Sequence, residues 1–379
     1  MIQSGRKKIA FVISASSALR AFMLHHVIAL SERYDITIFS NYSTDSFEDV
    51  IPENIRLIHI PFERPIAPVA DLKCAFLLYR YFQRENFDVV HSLLPKAGLL
   101  GMVTSFLACV PHRIHVFTGQ VWVTKTGLAR FVLKNVDRLI GKCASTVFSD
   151  SQSQSDFLAK EGVVHLPRVL GSGSVSGVDL KKFYPCQADG HALRQKLAFP
   201  ANAVVFGFLG RLTDDKGILD LADAFANAAL PSHSVLFIVG PDEDGVVQRI
   251  REKHGDLNGR LFVLGFTRAP EQVLNAFDVY CLPSYREGFG TSVIEAAACG
   301  VPTLASRIYG LTDAVEEGVT GLMHVPQDIF DIQSKLELLA NDEPLRQQLG
   351  EAALQRVRDK FSVEVMVAEM KRFYAETVG

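Results

Sequence analysis

No apolar run in the chain is long enough to span a bilayer, which excludes a membrane-crossing helix and makes a soluble protein the expectation. No C-x-x-C pair occurs among the six cysteines, Cys74, Cys109, Cys143, Cys186, Cys281 and Cys299. Most of them sit in apolar company, so reduced, buried thiols in a cytoplasm are expected instead of a disulfide framework or a zinc site. Low-complexity tracts and repeats of helical-array length are absent too. Neither half carries G-x-G-x-x-G after a first strand, so an NAD enzyme finds no support. Charge is modest, with 21% charged residues and a formal net charge of −3, beside 48% hydrophobic residues, ample for a core. No nucleic-acid partner is expected.

The N-terminus, MIQSGRKKIAFVISASSALRAFMLHHVIAL, superficially resembles a signal peptide. Arg20 interrupts its apolar part and no small-residue cleavage site closes it, so a buried strand over Lys8–Ile13, then a turn and a helix, is the better reading. Charge is divided unevenly. Residues 1–185 carry 21 Lys+Arg against 15 Asp+Glu, whereas residues 186–379 carry 18 against 27. A basic half joined to an acidic half suggests different partners for each.

What the chain has in quantity is alternation of short β-rich runs with helical stretches. KIAFVIS, YDITIFS, IRLIHI, FDVVHSL, RIHVFT and STVFSD come first, then AVVFGFLG, HSVLFIVG, GRLFVLG, DVYCLPS and VPTLAS. Such alternation implies parallel sheets covered by helices, an α/β class. At 379 residues two domains are expected, 1–185 and 186–362, with the break at a polar, Pro-containing connector near residues 184–202. The closing helix, residues 363–379, places Val365, Met366, Met370 and Phe373 on one face and is expected to pack back onto the first domain. Two such domains would face each other across a cleft, where sheets of this kind bind ligands.

The stretch SYREGFGTSVIEAAACGVPTLAS, residues 284–306, sets Glu287 and Glu295 seven residues apart around a Gly-Phe-Gly-Thr-Ser turn. Glu287 falls in the loop after the strand DVYCLPS, and Glu295 about one turn inside the following helix, which Thr291 or Ser292 is placed to cap. A helix N-terminus with free N–H groups is an anion site. Carboxylates on either side suit sugar and ribose hydroxyls, so the frame fits a nucleotide sugar. In FGFLGRLTDDKGILDLADAF, Arg211 and Lys216 leave a parallel strand at the same sheet edge, where they could neutralise a diphosphate.

With Glu287…Glu295 as E-x7-E, and Gly210, Arg211, Lys216 and Gly217 as G-R-x-x-x-x-K-G, the chain resembles the family-4 retaining glycosyltransferases of GT-B fold, two Rossmann-like domains. Residues 95–101 (PKAGLLG), 117–122 (FTGQVW) and 171–179 (GSGSVSGVD) resemble a bacterial branch that builds O-antigen or capsule. The resemblance implies an acceptor-binding first domain and a nucleotide-sugar-binding second one. It implies transfer of a hexose or N-acetylhexosamine, with retention, from a UDP-sugar to a polyprenyl-diphosphate-linked saccharide. Glu295 would hold the ribose and Glu287 the transferred sugar; Phe289, Gly290, Thr291 and Ser292, with Gly210, would line the donor; Arg211 and Lys216 would stabilise the leaving diphosphate. Attack would come from the front face, the leaving phosphate oxygen taking the acceptor's proton, with no covalent nucleophile. An epimerase of the same fold, or a non-catalytic nucleotide-sugar-binding subunit, are the alternatives.

The chain departs from that family in two loops. The first strand opens into Ser14-Ala15-Ser16-Ser17 where glycines are usual, and Phe117-Thr118-Gly119 stands where many relatives carry a histidine. His115 falls inside the strand run and is expected to be structural, leaving Ser14, Ser16, Thr118, Gln120 or Trp122 for the reaction centre. The D-x-D in PDED, residues 241–244, is read as a solvated loop, so no metal cofactor is expected. Arg130, Lys134, Arg138 and Lys142 recur every four residues with Phe131 among them, and are expected to dock the protein on the anionic cytoplasmic face of the inner membrane as a peripheral enzyme.

Overall fold

The computed structural model describes residues 5–42, 50–63 and 65–379. The chain divides into two compact units, Met1–Ser176 with Val363–Gly379, and Gly177–Ser362.

In the first unit seven strands form one parallel sheet: β1 Lys8–Ile13, β2 Asp35–Ser40, β3 Arg56–His59, β4 Val89–Leu93, β5 His112–Phe117, β6 Thr146–Ser149 and β7 Arg168–Val169, in the order β3-β2-β1-β4-β5-β6-β7. Continuous burial along β1, β2 and β4 follows from helices on both faces, which is why these strands read as apolar runs instead of alternating. One face is covered by the helices Leu24–Leu30 and Val363–Thr377. The other is covered by Pro68–Glu85, Pro95–Leu107 and Gly127–Cys143.

The final helix buries Met366, Met370, Phe373 and Tyr374, spaced three and four residues apart or adjacent, in the first unit's core. The Tyr374 hydroxyl lies 2.7 Å from Nδ1 of buried His91 on β4, and the two rings stack. Burial pushes the His91 imidazole down to about 3, so it is neutral.

In the second unit six strands pair in parallel: β8 Val205–Leu209, β9 Val235–Val239, β10 Leu261–Leu264, β11 Val279–Leu282, β12 Thr303–Ser306 and β13 Gly321–His324, in the order β10-β9-β8-β11-β12-β13. Both sheets thus step outward from their first strand in one direction and then reverse. The reversal lies between β1 and β4 in one unit and between β8 and β11 in the other. In open parallel sheets the loops diverge at such a reversal, and ligands bind there.

The boundary differs from the one composition suggests. It falls between Ser176 and Gly177, and the polar connector is an exposed helix, Gln187–Lys196, of the second unit. Asn275 fixes its start, accepting from the Cys186 amide at 2.7 Å and donating to the Tyr184 carbonyl at 3.1 Å. A helix lying on a surface needs few apolar residues, so its composition imitates a linker. Strands β7 and β13 also escape the sequence pattern. One is two residues long, and the other, GLMH, holds no β-branched residue.

Tyr374→Phe keeps the core's volume but removes the hydroxyl, leaving His91 without a ring-nitrogen partner among the described residues. It should lower the unfolding free energy by about 1–3 kcal/mol, read as a lower urea midpoint by circular dichroism. An unchanged midpoint would show that the His91 contact carries no net stability.

Candidate functional site

Strands β8 and β11 are neighbours, with Val279 opposite Phe206, so their exit loops leave the sheet side by side. The first loop runs from Gly210 to Gly217 and opens the helix Ile218–Asn227. The second runs from Pro283 to Gly290 and opens the helix Thr291–Ala298.

Asp215 ties the two loops together. Its Oδ2 lies 2.7 Å from the Arg286 guanidinium, its Oδ1 accepts from the Thr213 hydroxyl at 2.6 Å, and its carbonyl accepts from the Tyr285 amide at 2.8 Å. Burial pulls the carboxyl upward. The Thr213 hydroxyl and the cations Arg286, Lys216 and Arg211 outweigh it and hold the group below its usual range. Gly217 completes the join. It adopts φ 67°, and a Cβ there would run into the Pro283 carbonyl oxygen, so only glycine lets the loops approach this closely.

Beyond that join stand the charges singled out in the sequence. Lys216 Nζ is 2.5 Å from Glu287 Oε1, which also accepts from the Ser284 hydroxyl at 2.8 Å, and both ion-pair partners are largely sheltered from solvent. Arg211 is more open and pairs with Glu243 at 2.9 Å. Gly210 donates its amide to the Val239 carbonyl at 3.0 Å, extending the β8–β9 ladder into the loop. Glu295 is half-buried one turn into the Thr291–Ala298 helix. Desolvation pushes it up to about 7, against the opposing charge of Lys182 and with help from Glu271. Lys182 and Glu271 themselves lie 3.7 Å apart.

The helix start differs from the sequence reading. Neither Thr291 nor Ser292 caps it. Gly290, at φ 85° and ψ 63°, occupies the cap position without a side-chain bond, and the Ser292 hydroxyl instead receives the Tyr280 hydroxyl at 2.7 Å. No side chain therefore claims the first-turn N–H groups, of which the Val293 amide donates to the Gly290 carbonyl at 2.8 Å. The Phe289 ring is buried against Phe361, so only its backbone can serve a ligand. Both carboxylates of the D-x-D are engaged by backbone: Asp242 accepts from the Val246 and Val247 amides, and Asp244 from Asp214 N. No group of three or more His, Cys, Asp or Glu able to hold a metal occurs among the described residues.

In the first unit Ser14, half-buried, and Ser16, buried, follow β1, and half-buried Thr118 follows β5, on the two sides of β4. Gln120 is buried and held by Thr118 and Gln154: its Nε2 donates to the Thr118 carbonyl at 2.6 Å, and its Oε1 accepts from Gln154 Nε2 at 3.1 Å. His115 is buried with Nδ1 2.8 Å from the Ser92 hydroxyl. Trp122 does not line an open loop. It is buried, stacked on Phe157, and donates to Asp137 Oδ2 at 2.7 Å.

The basic stripe is also turned inward. Arg130 and Lys134 stand 5.0 and 5.3 Å from the Trp122 ring centroid and pair with Glu161 at 3.7 and 2.6 Å. Arg138 donates to the carbonyls of Gly162 and Glu161. Of the five residues expected at a membrane, Phe131 and Lys142 are exposed, while Arg130 keeps 39% of its side chain accessible. The cations faced inward because Trp122 and Glu161, distant in sequence from most of the stripe, offer them partners.

Asp215, Arg286, Ser284, Lys182 and Glu271 were not singled out in the sequence. Ser284 and Arg286 lie inside the SYREGFG stretch and Asp215 precedes Lys216, but loop residues carry no periodicity to reveal which of them converge.

Comparison with known proteins agrees with this architecture. Residues 190–356 match the model of glycosyl transferases group 1, and residues 16–170 that of the glycosyl transferase 4-like domain. The capsular polysaccharide biosynthesis glycosyltransferase CapM of Staphylococcus aureus is 32% identical over 83% of this chain and 83% of its own. The UDP-Gal:α-D-GlcNAc-diphosphoundecaprenol α-1,3-galactosyltransferase of Escherichia coli is 27% identical over 92% of this chain and 90% of its own. Among solved structures, Anabaena HepE in complex with UDP and glucose superposes with a TM-score of 0.80 at 20% identity, covering 98% of this chain and 100% of that one. The chain belongs to the glycosyltransferases of GT-B fold, in their capsule and O-antigen branch.

Proposed function

We propose that this glycosyltransferase moves a hexose or N-acetylhexosamine from a UDP-sugar to a polyprenyl-diphosphate-linked saccharide, with retention of configuration, at the cytoplasmic face of the inner membrane. The observation that carries the reading is the Lys216–Glu287 pair, which joins the two loops, with Arg211 on the first loop and Glu295 in the helix that the second loop opens without a capping side chain. The names of the Escherichia coli and Campylobacter jejuni relatives, both transferases acting on diphospho-undecaprenol-linked sugars, support the donor and acceptor classes. No helix among the described residues is long and apolar enough to cross a membrane, so such an acceptor would be met at the surface.

In this reading the diphosphate rests on the helix N–H groups with Arg211 and Lys216 beside it. Glu287 accepts hydroxyls of the transferred sugar and Glu295 those of the ribose. The bond from the anomeric carbon to the phosphate oxygen breaks as the bond to the acceptor oxygen forms on the same face. The acceptor's proton passes to the departing phosphate oxygen. Negative charge grows on that oxygen, so the two cations act most strongly in the transition state, each contributing about 2–4 kcal/mol. We read the reaction as metal-independent, because the carboxylates of the D-x-D are held by backbone amides.

Arg211→Ala and Lys216→Ala should each lower kcat, by about thirtyfold to nearly a thousandfold, with smaller changes in KM. Steady-state kinetics in buffer containing EDTA check both points at once. Unchanged kcat with a raised KM would refute the leaving-group role, and wild-type turnover abolished by EDTA and restored by Mn²⁺ would refute the metal-free reading.

Glu295→Gln should weaken UDP and UDP-sugar alike, whereas Glu287→Ala should weaken the UDP-sugar and spare UDP. Glu295 keeps its proton until about pH 7, and its ionised form is the stronger acceptor for a ribose hydroxyl. Wild-type affinity for UDP should therefore fall as pH drops through 7, a dependence that Glu295→Gln loses. Calorimetric titration at pH 6 and pH 8 reads this difference. Equal losses for both ligands in both variants, or an identical pH response in Glu295→Gln, would remove the two assignments.

A further inference from the structure

The helices Pro68–Glu85, Pro95–Leu107 and Gly127–Cys143 lie side by side over one face of the first unit's sheet. Their outward surface is apolar to an extent that packing within the unit does not explain. On Gly127–Cys143 the exposed large apolar residues are Leu128, Phe131, Val132 and Leu139, at spacings that keep them on one stripe, with Phe131 bordering the cations turned toward Trp122 and Glu161. On Pro68–Glu85 the outward stripe holds Leu72 and Phe76, with Ile66 just ahead of the helix. Leu72, Leu128 and Phe131 are 72%, 76% and 65% exposed. Large apolar side chains left this open in neighbouring helices mark an interaction surface.

The charges around this surface say what covers it. Lys73, Arg80 and Arg84 on the first of these helices, Lys125 before the third and Lys142 near its end are all exposed. The three helices carry few carboxylates, and none is exposed. Asp71 pairs with Lys96 at 2.6 Å, Glu85 with Arg56 at 3.4 Å, and Asp137 is buried beneath Trp122. An apolar stripe edged by cations, with no exposed carboxylate on the three helices and one, Glu63, ahead of the first, matches a bilayer interface, with acyl chains for Phe131 and Leu72 and anionic headgroups for the lysines and arginines.

We propose that this three-helix layer is the membrane-docking face of the protein, and that it inserts its apolar stripes shallowly into an anionic leaflet. The proposal rests on the reading that the acceptor is lipid-linked, and it replaces the basic stripe as the contact. Attraction through Lys73, Arg80, Lys125 and Lys142 then sets the approach and its salt dependence, while the apolar residues set retention.

The test uses the full chain and vesicles of phosphatidylglycerol and phosphatidylethanolamine in a sedimentation assay. The double variants Leu72→Glu/Phe76→Glu and Leu128→Glu/Phe131→Glu change exposed positions, and circular dichroism checks that they fold. Each should reduce vesicle binding at least tenfold, while turnover on a short water-soluble acceptor stays within twofold of wild type. Wild type that does not sediment, or variants that sediment as well as wild type, would overturn the proposal. So would a concentration-dependent dimer that the same substitutions dissociate, since the face would then cover a second copy. Wild type that binds vesicles but transfers no sugar from any nucleotide donor would sink the catalytic reading and leave this one standing.

Discussion

Asp215 holds two loops that leave adjacent strands, and the candidate site exists only while they stay joined. A carboxylate that accepts from Thr213 and pairs with Arg286, with its backbone carbonyl taken by Tyr285, fixes the loop after β8 against the loop after β11. Gly217 permits the contact, because any side chain there would strike Pro283. Lys216 and Glu287 are the next residues outward on each loop, so their 2.5 Å pairing depends on the join beneath them. Preorganisation of this kind lets charged groups stabilise a transition state without moving at the moment of reaction.

Charge in this protein is sorted by burial. Glu295 is crowded enough to hold its proton to about pH 7, whereas Asp215, also sheltered, stays ionised because three cations and a hydroxyl act on it. The same sorting operates in the first unit, where Arg130 and Lys134 bind inward to Trp122 and Glu161. Lysines and arginines recurring along a helix therefore do not by themselves make a basic surface. Their partners elsewhere in the chain decide which way they face, and that choice leaves Leu128 and Phe131 on the outside.

Much of this was legible in the sequence because it rests on local pattern. Buried parallel strands appear as apolar runs, and eleven of the thirteen strands among the described residues coincide with runs read from the sequence. The E-x7-E spacing and the Arg211–Lys216 element placed the charged loops at one sheet edge, because strand direction follows from the alternation. What was not legible depends on contacts between distant segments. The Asp215–Arg286 pair joins residues 71 positions apart in two loops without periodicity. The helix Gln187–Lys196 lies on a surface and so has the composition of a linker, and Gly290 takes the cap position that the side chains of Thr291 and Ser292 are suited to fill.

The most direct test of the central claim is the affinity of the Asp215→Ala variant for UDP, measured by calorimetry beside its thermal unfolding. If the joined loops build the donor site, the variant should fold and bind UDP about tenfold or more weakly, a loss of roughly 1.4 kcal/mol or more. A folded variant with wild-type affinity would contradict the account, because the site would then stand without the interaction said to hold it.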